Sequence, residues 1–166
     1  MTDTVDKNKR SQIMSRVRSQ NTRPELIIRK TLYAQGIRYR LYRSDLPGKP
    51  DLCLGKYKAI IFIHGCLWHW HGCSRSRIPS TNTEYWKQKI VRNQNRDQKH
   101  IRQLISMGWR ILIIWECAIK KKTIAQTSSL IHEWLLNREM LYNQIEPLNK
   151  KEVQLNELDL LSDNYF

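Results

Sequence analysis

Two short, uninterrupted apolar runs, KAIIFIHG at 58–65 and RILIIWE at 110–116, constrain the fold of this chain more than any other feature. Neither run alternates polar with apolar residues, so neither keeps a face for water, and each reads as a central strand covered on both sides. Between them lies TEYWKQKIVRNQNRDQKHIRQLISMG, 83–108, in which Trp86, Ile90, Ile101, Leu104 and Ile105 share one helical face, Lys87, Arg92, Arg96 and Lys99 stay outside, and Gly108 closes the helix. A strand, a crossover helix and a parallel strand form a βαβ unit, so the expected class is α/β, a central sheet flanked by helices.

The flanking segments extend this pattern. PELIIRKTLYAQG reads as a helix with Thr22 as N-cap, Pro24 and Glu25 just inside and Gly36 at its end, and Leu26, Ile27 and Leu32 are expected to face the core. IRYRLY at 37–42 alternates like a half-buried strand, LPGKP at 46–50 is a turn, and DLCL is a short strand in which Cys53 reads as a small core residue. A last helix is expected at about 126–139 through Leu130, Ile131, Trp134 and Leu135. The resulting division is a basic arm at 1–20, a domain at 21–139 and an acidic tail at 140–166.

Charge narrows the partner. Lysine and arginine number 29 against 15 acids, a net charge of +14. From Glu139 onward six acids face two lysines, net −4, so the first 138 residues carry +18. Such an excess favours a polyanion, and nucleic acid fits better than a membrane surface, because the chain shows neither an apolar span nor an isolated basic amphipathic helix. The polar N-terminus, MTDTVDKNKRSQ, has no apolar signal core, and a cytoplasmic protein is expected. The segment 7–20 reads equally well as a solvated arm or as one that orders on DNA.

HGCLWHWHGC, 64–73, carries the chemistry. Cys66, His71 and Cys73 form C-x4-H-x-C, and Cys117 follows the strand RILIIWE; parallel strands ending on one side of a sheet would bring Cys117 to the loop after Ile63. Three cysteines and one histidine make a closed tetrahedral set, the signature of structural Zn2+. That leaves His64, His69, Leu67, Trp68 and Trp70 on a loop clamped at both ends, and aromatic or wedge side chains beside imidazoles suit distorted DNA and its phosphates. Lys89, Asn93 and Asp97 recur every four residues, so they share one helix face that could read base edges or remain a solvated polar face.

Together LPGKPDLCL, AIIFIHGCLWHWHGC, TEYWKQKIVRNQNRDQKHIRQL and GWRILIIWEC closely resemble the very short patch repair endonucleases, in order from about Lys9 to about Trp134. The resemblance implies a restriction-endonuclease-like fold with a central mixed β-sheet, a structural zinc and a Mg2+-dependent nick 5′ of the thymine in a T:G mismatch left by deamination of 5-methylcytosine. It implies that Asp51 and the backbone carbonyl of Ile63 hold Mg2+, that Glu25, His64 and His69 surround the attacking water, and that Cys66, His71, Cys73 and Cys117 hold zinc. It places Met14, Leu67 and Trp68 beside the mismatch and Lys89, Asn93 and Asp97 near the bases. Leu67 stands where the family pattern has an aromatic wedge, and Ile63 replaces a threonine. The implied enzyme is a monomer acting on double-stranded DNA, with mismatch-repair proteins and a DNA polymerase as partners.

The residues themselves are compatible with that chemistry. Mg2+ prefers carboxylate, carbonyl and water oxygens, and Asp51 supplies the carboxylate. Nucleases of this fold usually place a second acid and a lysine soon after the first aspartate, but here that region reads IIFIHG. A histidine must then take the base role, with Glu25 expected to orient the His69 ring; Glu25 is equally an ordinary first-turn helix acid. A zinc-stabilised DNA-binding protein without catalysis, and a nuclease of the same fold with another DNA target, remain open from the sequence.

Overall fold

The computed structural model describes residues 20–147 together with Asp6, Lys9 and Gln12. Most of the basic arm, Met14 included, and residues 148–166 lie outside the described residues. Both apolar runs are strands: β3 (Ala59–His64) and β4 (Arg110–Trp115) pair in parallel from Ala59 opposite Arg110 to His64 opposite Trp115. The first helix, α1 (Arg23–Ala34), precedes them, α2 (Thr83–Ser106) crosses between them, and α3 (Ile124–Leu136) follows. Two short strands, β1 (Arg40–Leu41) and β2 (Leu52–Leu54), add antiparallel to the β3 side, while β5 (Tyr142–Ile145) adds in parallel to β4. The result is a mixed five-stranded sheet whose spatial order follows the chain.

Strand parity explains why the runs contain no polar interruption. Ala59, Ile61, Leu112 and Ile114 point to one face, where they meet Ile28 and Leu32 of α1 and Ile131 and Trp134 of α3. Ile60, Phe62, Ile111 and Ile113 point to the other and meet Ile101 and Leu104 of α2. Helices cover both faces, so the central strands are apolar throughout between Arg110, which opens β4, and His64, which ends β3. Cys53 is buried on the α2 face, as expected of a core residue. Among the described residues no helix is long and apolar enough to cross a membrane.

Four details depart from the sequence expectation. Leu26 is 41% exposed and Ile28 takes the core position instead, because the buried stripe of α1 runs through Glu25, Ile28, Arg29 and Leu32. The expected strand 37–42 shrinks to Arg40–Leu41, since Tyr42 adopts a left-handed backbone (φ 46°) that ends the extended geometry. The last helix spans Ile124–Leu136 and stops short of 139. Finally, Tyr142–Ile145, assigned to the acidic tail, is the edge strand β5, pinned where Trp115 Nε1 donates to Gln144 Oε1 at 2.7 Å. Only Ile145 of that strand is buried, so YNQI carries little apolar signal.

One buried cation ties the C-terminal half together. Arg110 opens β4 and its guanidinium donates to the carbonyls of Trp134, Leu135, Asn137 and Met140, with its plane over the Trp134 ring at 4.3 Å. It therefore satisfies the carbonyl end of α3, where positive charge is favoured, and the turn into β5. We expect Arg110→Met to lower stability by about 3 kcal/mol, because several buried acceptors lose a charged donor at once, with Arg110→Lys falling between. Urea unfolding midpoints of the three proteins check this order.

Candidate active site

β3 ends at His64 and the chain enters a tight loop. His69 N–H donates to Gly65 O at 3.2 Å and His71 N–H to Cys66 O at 3.0 Å, so the segment curls like a single helical turn. Trp70 (φ 55°) and Gly72 (φ 81°) then reverse its direction through left-handed conformations. This curl sends neighbouring histidines to different places. His69 stacks on His64, with ring centroids 3.8 Å apart and planes 12° from parallel, while His71 stacks on Trp115 at 4.5 Å.

His71 joins the three cysteines. The donor atoms of Cys66, His71, Cys73 and Cys117 all lie within 4.8 Å of one another, with Cys117 Sγ 3.3 Å from His71 Nδ1. Burial pushes the Cys66 and Cys117 thiols above their ordinary range, and crowding by Cys66 and Cys73 adds to the effect at Cys117. Burial opposes ionisation of Cys73 too, but hydrogen bonds from His71, the Arg75 amide and Ser76 hold it down to about 6. Three sulfurs that cannot ionise together without a cation, beside one imidazole nitrogen, are a donor set suited to a single thiophilic ion. The other nitrogen, His71 Nε2, is buried without a hydrogen bond and has the exposed Glu146 carboxylate 3.1 Å away.

His69 faces a cleft of about 760 Å³ that is also lined by Glu25, Asp51, Ile63, His64, Trp68, Asp97 and His100. It opens at the C-terminal end of β3, between the start of α1 and the middle of α2, the usual place for a ligand in an open α/β sheet. His69 Nδ1 makes a very short contact with the Asp97 carboxylate of α2. Burial works against the Asp97 charge, but the His69 bond keeps its carboxyl below the ordinary value. His64 beneath it is fully enclosed, and burial together with His69 lowers its pKa to about 3, so it is neutral at physiological pH. Asp51 Oδ2 accepts the Ile63 N–H at 2.7 Å. Burial nevertheless raises the Asp51 pKa to about 6, because that bond and the more distant Arg29 and His69 only partly offset desolvation and repulsion from Glu25.

Comparison with known proteins identifies this arrangement. The family described as DNA mismatch endonuclease Vsr matches residues 2–75. A type II nicking enzyme of Neisseria meningitidis is 43% identical over 126 residues, 76% of this chain and 90% of that protein. The DNA mismatch endonuclease Vsr of Escherichia coli is 38% identical over 138 residues, 81% of this chain and 88% of that protein. The chain belongs to the Vsr family of DNA repair endonucleases. Among solved structures, the catalytic domain of a homing endonuclease aligns with 71% of the Vsr-family chain and 98% of its own length, at TM-score 0.49 and 21% identity.

The structure brings Asp51, Ile63, His64, His69, Glu25 and Trp68 of this Vsr-family enzyme to one cleft, and Cys66, His71, Cys73 and Cys117 to one cluster. It gives two sets of these residues partners within the protein. Glu25 does not orient His69: its carboxylate accepts from Arg29 Nη2 at 2.6 Å, Tyr42 Oη at 2.7 Å, Thr22 Oγ1 at 2.8 Å and the Asn21 amide at 3.0 Å. The polar face of α2 holds the loop: Asn93 Nδ2 donates to Trp68 O at 2.8 Å, Lys89 Nζ sits 5.1 Å from the Trp68 ring, and Asp97 takes His69. Leu67 is half-buried and lies outside the cleft lining. Sequence reasoning missed Arg29, Tyr42 and His100. The available signal for the role of Asp97 was its isolation, since beyond Glu84 it is the sole acid in a helix rich in lysine and arginine.

The raised Asp51 pKa has a definite sign. The folded state binds this proton more tightly than the unfolded chain, so the stability it contributes is complete below about pH 4 and is lost as pH rises through about 6. Without added Mg2+, Asp51→Asn should match the parent at pH 4 and exceed it by roughly 2 kcal/mol above pH 7. Thermal unfolding of both proteins across this range measures the difference.

Proposed function

We propose that this enzyme nicks one strand of double-stranded DNA on the 5′ side of the thymine in a T:G mismatch, such as deamination of 5-methylcytosine leaves, and so starts a short repair event. The observation that carries the reading is the pairing of His69 with Asp97 in the same cleft as the half-buried Asp51, in a chain of this family. We infer a restriction-endonuclease-like fold for the described domain, a DNA-contacting role for the segment 1–20 with Met14 as a wedge, and action in the bacterial cytoplasm. Mismatch-repair proteins and a resynthesising polymerase are the partners this role requires, with the enzyme acting as a monomer.

In this reading Mg2+ is held by Asp51 and the carbonyl of Ile63. The residues fit: Asp51 uses one oxygen for the Ile63 amide and keeps another, and a strand residue directs its N–H and C=O to the same edge, which places the Ile63 carbonyl on the Asp51 side. When bound, Mg2+ supplies positive charge beside the scissile phosphate and acidifies a nearby water. His69 accepts the proton of the attacking water at Nε2, because Nδ1–H is committed to Asp97. The water oxygen bonds to phosphorus as the bond to the leaving sugar oxygen breaks, and that oxygen takes a proton from a solvent water to leave as a hydroxyl. Asp97 is a positioning residue: it fixes the tautomer and stabilises the imidazolium that forms. His64, uncharged and stacked beneath, supports the ring without competing for the proton.

Zn2+ fits Cys66, His71, Cys73 and Cys117, a closed set that leaves no open coordination position, so its role is to fix the loop. Trp68 lines the cleft and packs on Trp86, with centroids 5.5 Å apart, which favours an aromatic wedge built from more than one ring. Unstacking a mismatched step is cheaper than unstacking a Watson–Crick step, and this difference supplies the discrimination.

A panel of matched and mismatched duplexes with Mg2+ tests the reading. One nick, only beside T:G, is expected; cleavage of matched DNA at the same rate would refute the specificity. Asp51→Ala should abolish nicking while binding persists. His69→Ala should lower kcat by roughly 100- to 10,000-fold, and Asp97→Asn should lower it less while shifting the acidic limb of the pH profile to lower pH. Elemental analysis should find about one zinc per chain, lost in Cys117→Ser.

A further inference from the structure

A second groove, of about 520 Å³, lies beside the catalytic cleft, and Pro24 and Glu116 line both. Its rim carries Arg23, Lys120 and Lys121, all exposed and without an ion-pair partner among the described residues. The single acid in the groove, Glu116, is engaged by Arg75 at 2.8 Å. Ile27, Ile119 and Ile124 form an apolar floor between these cations. The first residues of both α1 and α3 open onto the groove, so two helix dipoles add positive potential to the unpaired side-chain charges.

Cations on a rim above an apolar floor match a sugar-phosphate backbone, in which charged phosphates alternate with largely apolar deoxyribose. The groove also shares Pro24 and Glu116 with the cleft, so the two lie side by side on one surface that a duplex can span. We propose that Arg23, Lys120 and Lys121 grip the phosphates of the DNA flanking the nick, as a sequence-independent hold that positions the duplex across the cleft. The proposal rests on reading the cleft as the site of DNA cutting. It does not depend on the mismatch, because phosphate contacts carry no base information.

The test measures DNA binding by the full chain and by the triple variant Arg23→Gln, Lys120→Gln, Lys121→Gln, on T:G and fully matched duplexes of one length, at salt concentrations between about 50 and 200 mM. Loss of three phosphate contacts should make the slope of log affinity against log salt shallower by about 2.7 and weaken binding at low salt at least about tenfold. The loss should be equal for the two duplexes. A charge-keeping variant, Arg23→Lys, Lys120→Arg, Lys121→Arg, should bind like the parent. Unchanged affinity and slope in the glutamine variant would overturn the proposal. Tighter binding by that variant would also overturn it, since the groove's cations would then be serving an acidic segment of the chain rather than DNA. If the parent shows no preference for T:G, the specificity reading fails, while the slope on matched DNA still decides the groove.

Discussion

The parallel pairing of β3 with β4 is the constraint on which the rest of this molecule depends. The two strands run flush, so His64 lies opposite Trp115 and both chains leave the sheet at the same level. Only that register lets Cys117, two residues beyond Trp115, meet the loop that begins at Gly65. A slip of one residue would turn every side chain of β4 to the opposite face and place Ile114 where Trp115 now supports both His64 and His71. The pairing is strongly specified because both faces are buried: Ile60 and Ile61 fill opposite cores, and exchanging them would disturb two layers together.

On that frame the loop 65–73 is an expensive thing to hold still. Ordering each residue costs about 1–2 kcal/mol of backbone entropy, so a loop of this length opposes folding by roughly 10 kcal/mol or more. Its apolar contacts are few: Cys66 is buried, Leu67 and Trp68 are half-buried, and Trp70 is 39% exposed and strained by its positive φ. A structural zinc contributes about 10–16 kcal/mol in small domains, which is the magnitude required. Asn93 and Asp97 add a second tie from α2. The proposed metal and the helix thus act on opposite ends of one curl, and His69 sits between them.

What could be read in advance follows from how local the signals are. The central strands, the crossover helix and its glycine stop, and the Cys-His quartet each show in a run of residues or a short spacing, and parallel strands made Cys117 a consequence of topology. Roles that depend on side chains meeting across elements were less legible. Glu25 resembled a partner for His69, but α1 turns it and Arg29 inward together, so the carboxylate is taken by its own helix and by Tyr42. The i, i+4 stripe of Lys89, Asn93 and Asp97 correctly indicated one face, but periodicity cannot say what the face meets, and it meets the loop. Tyr142–Ile145 escaped because an edge strand with one buried residue leaves scarcely any pattern.

The cleft itself is arranged around a charge imbalance. Glu25 is balanced by Arg29, and Asp97 has His69 and the neighbouring Arg96 at 3.2 Å. Among the described residues Asp51 has one backbone amide within hydrogen-bonding distance and no cation in contact, although burial makes its charge costly. A carboxylate in that state is destabilising in isolation and strongly favoured once a divalent cation arrives, so the same burial that raises its pKa sharpens its selection for the ion. Nearby lysine would relieve the strain and compete for the oxygen. The run IIFIHG after Asp51 supplies none, and in the proposed mechanism that gap is filled by the metal and the histidine.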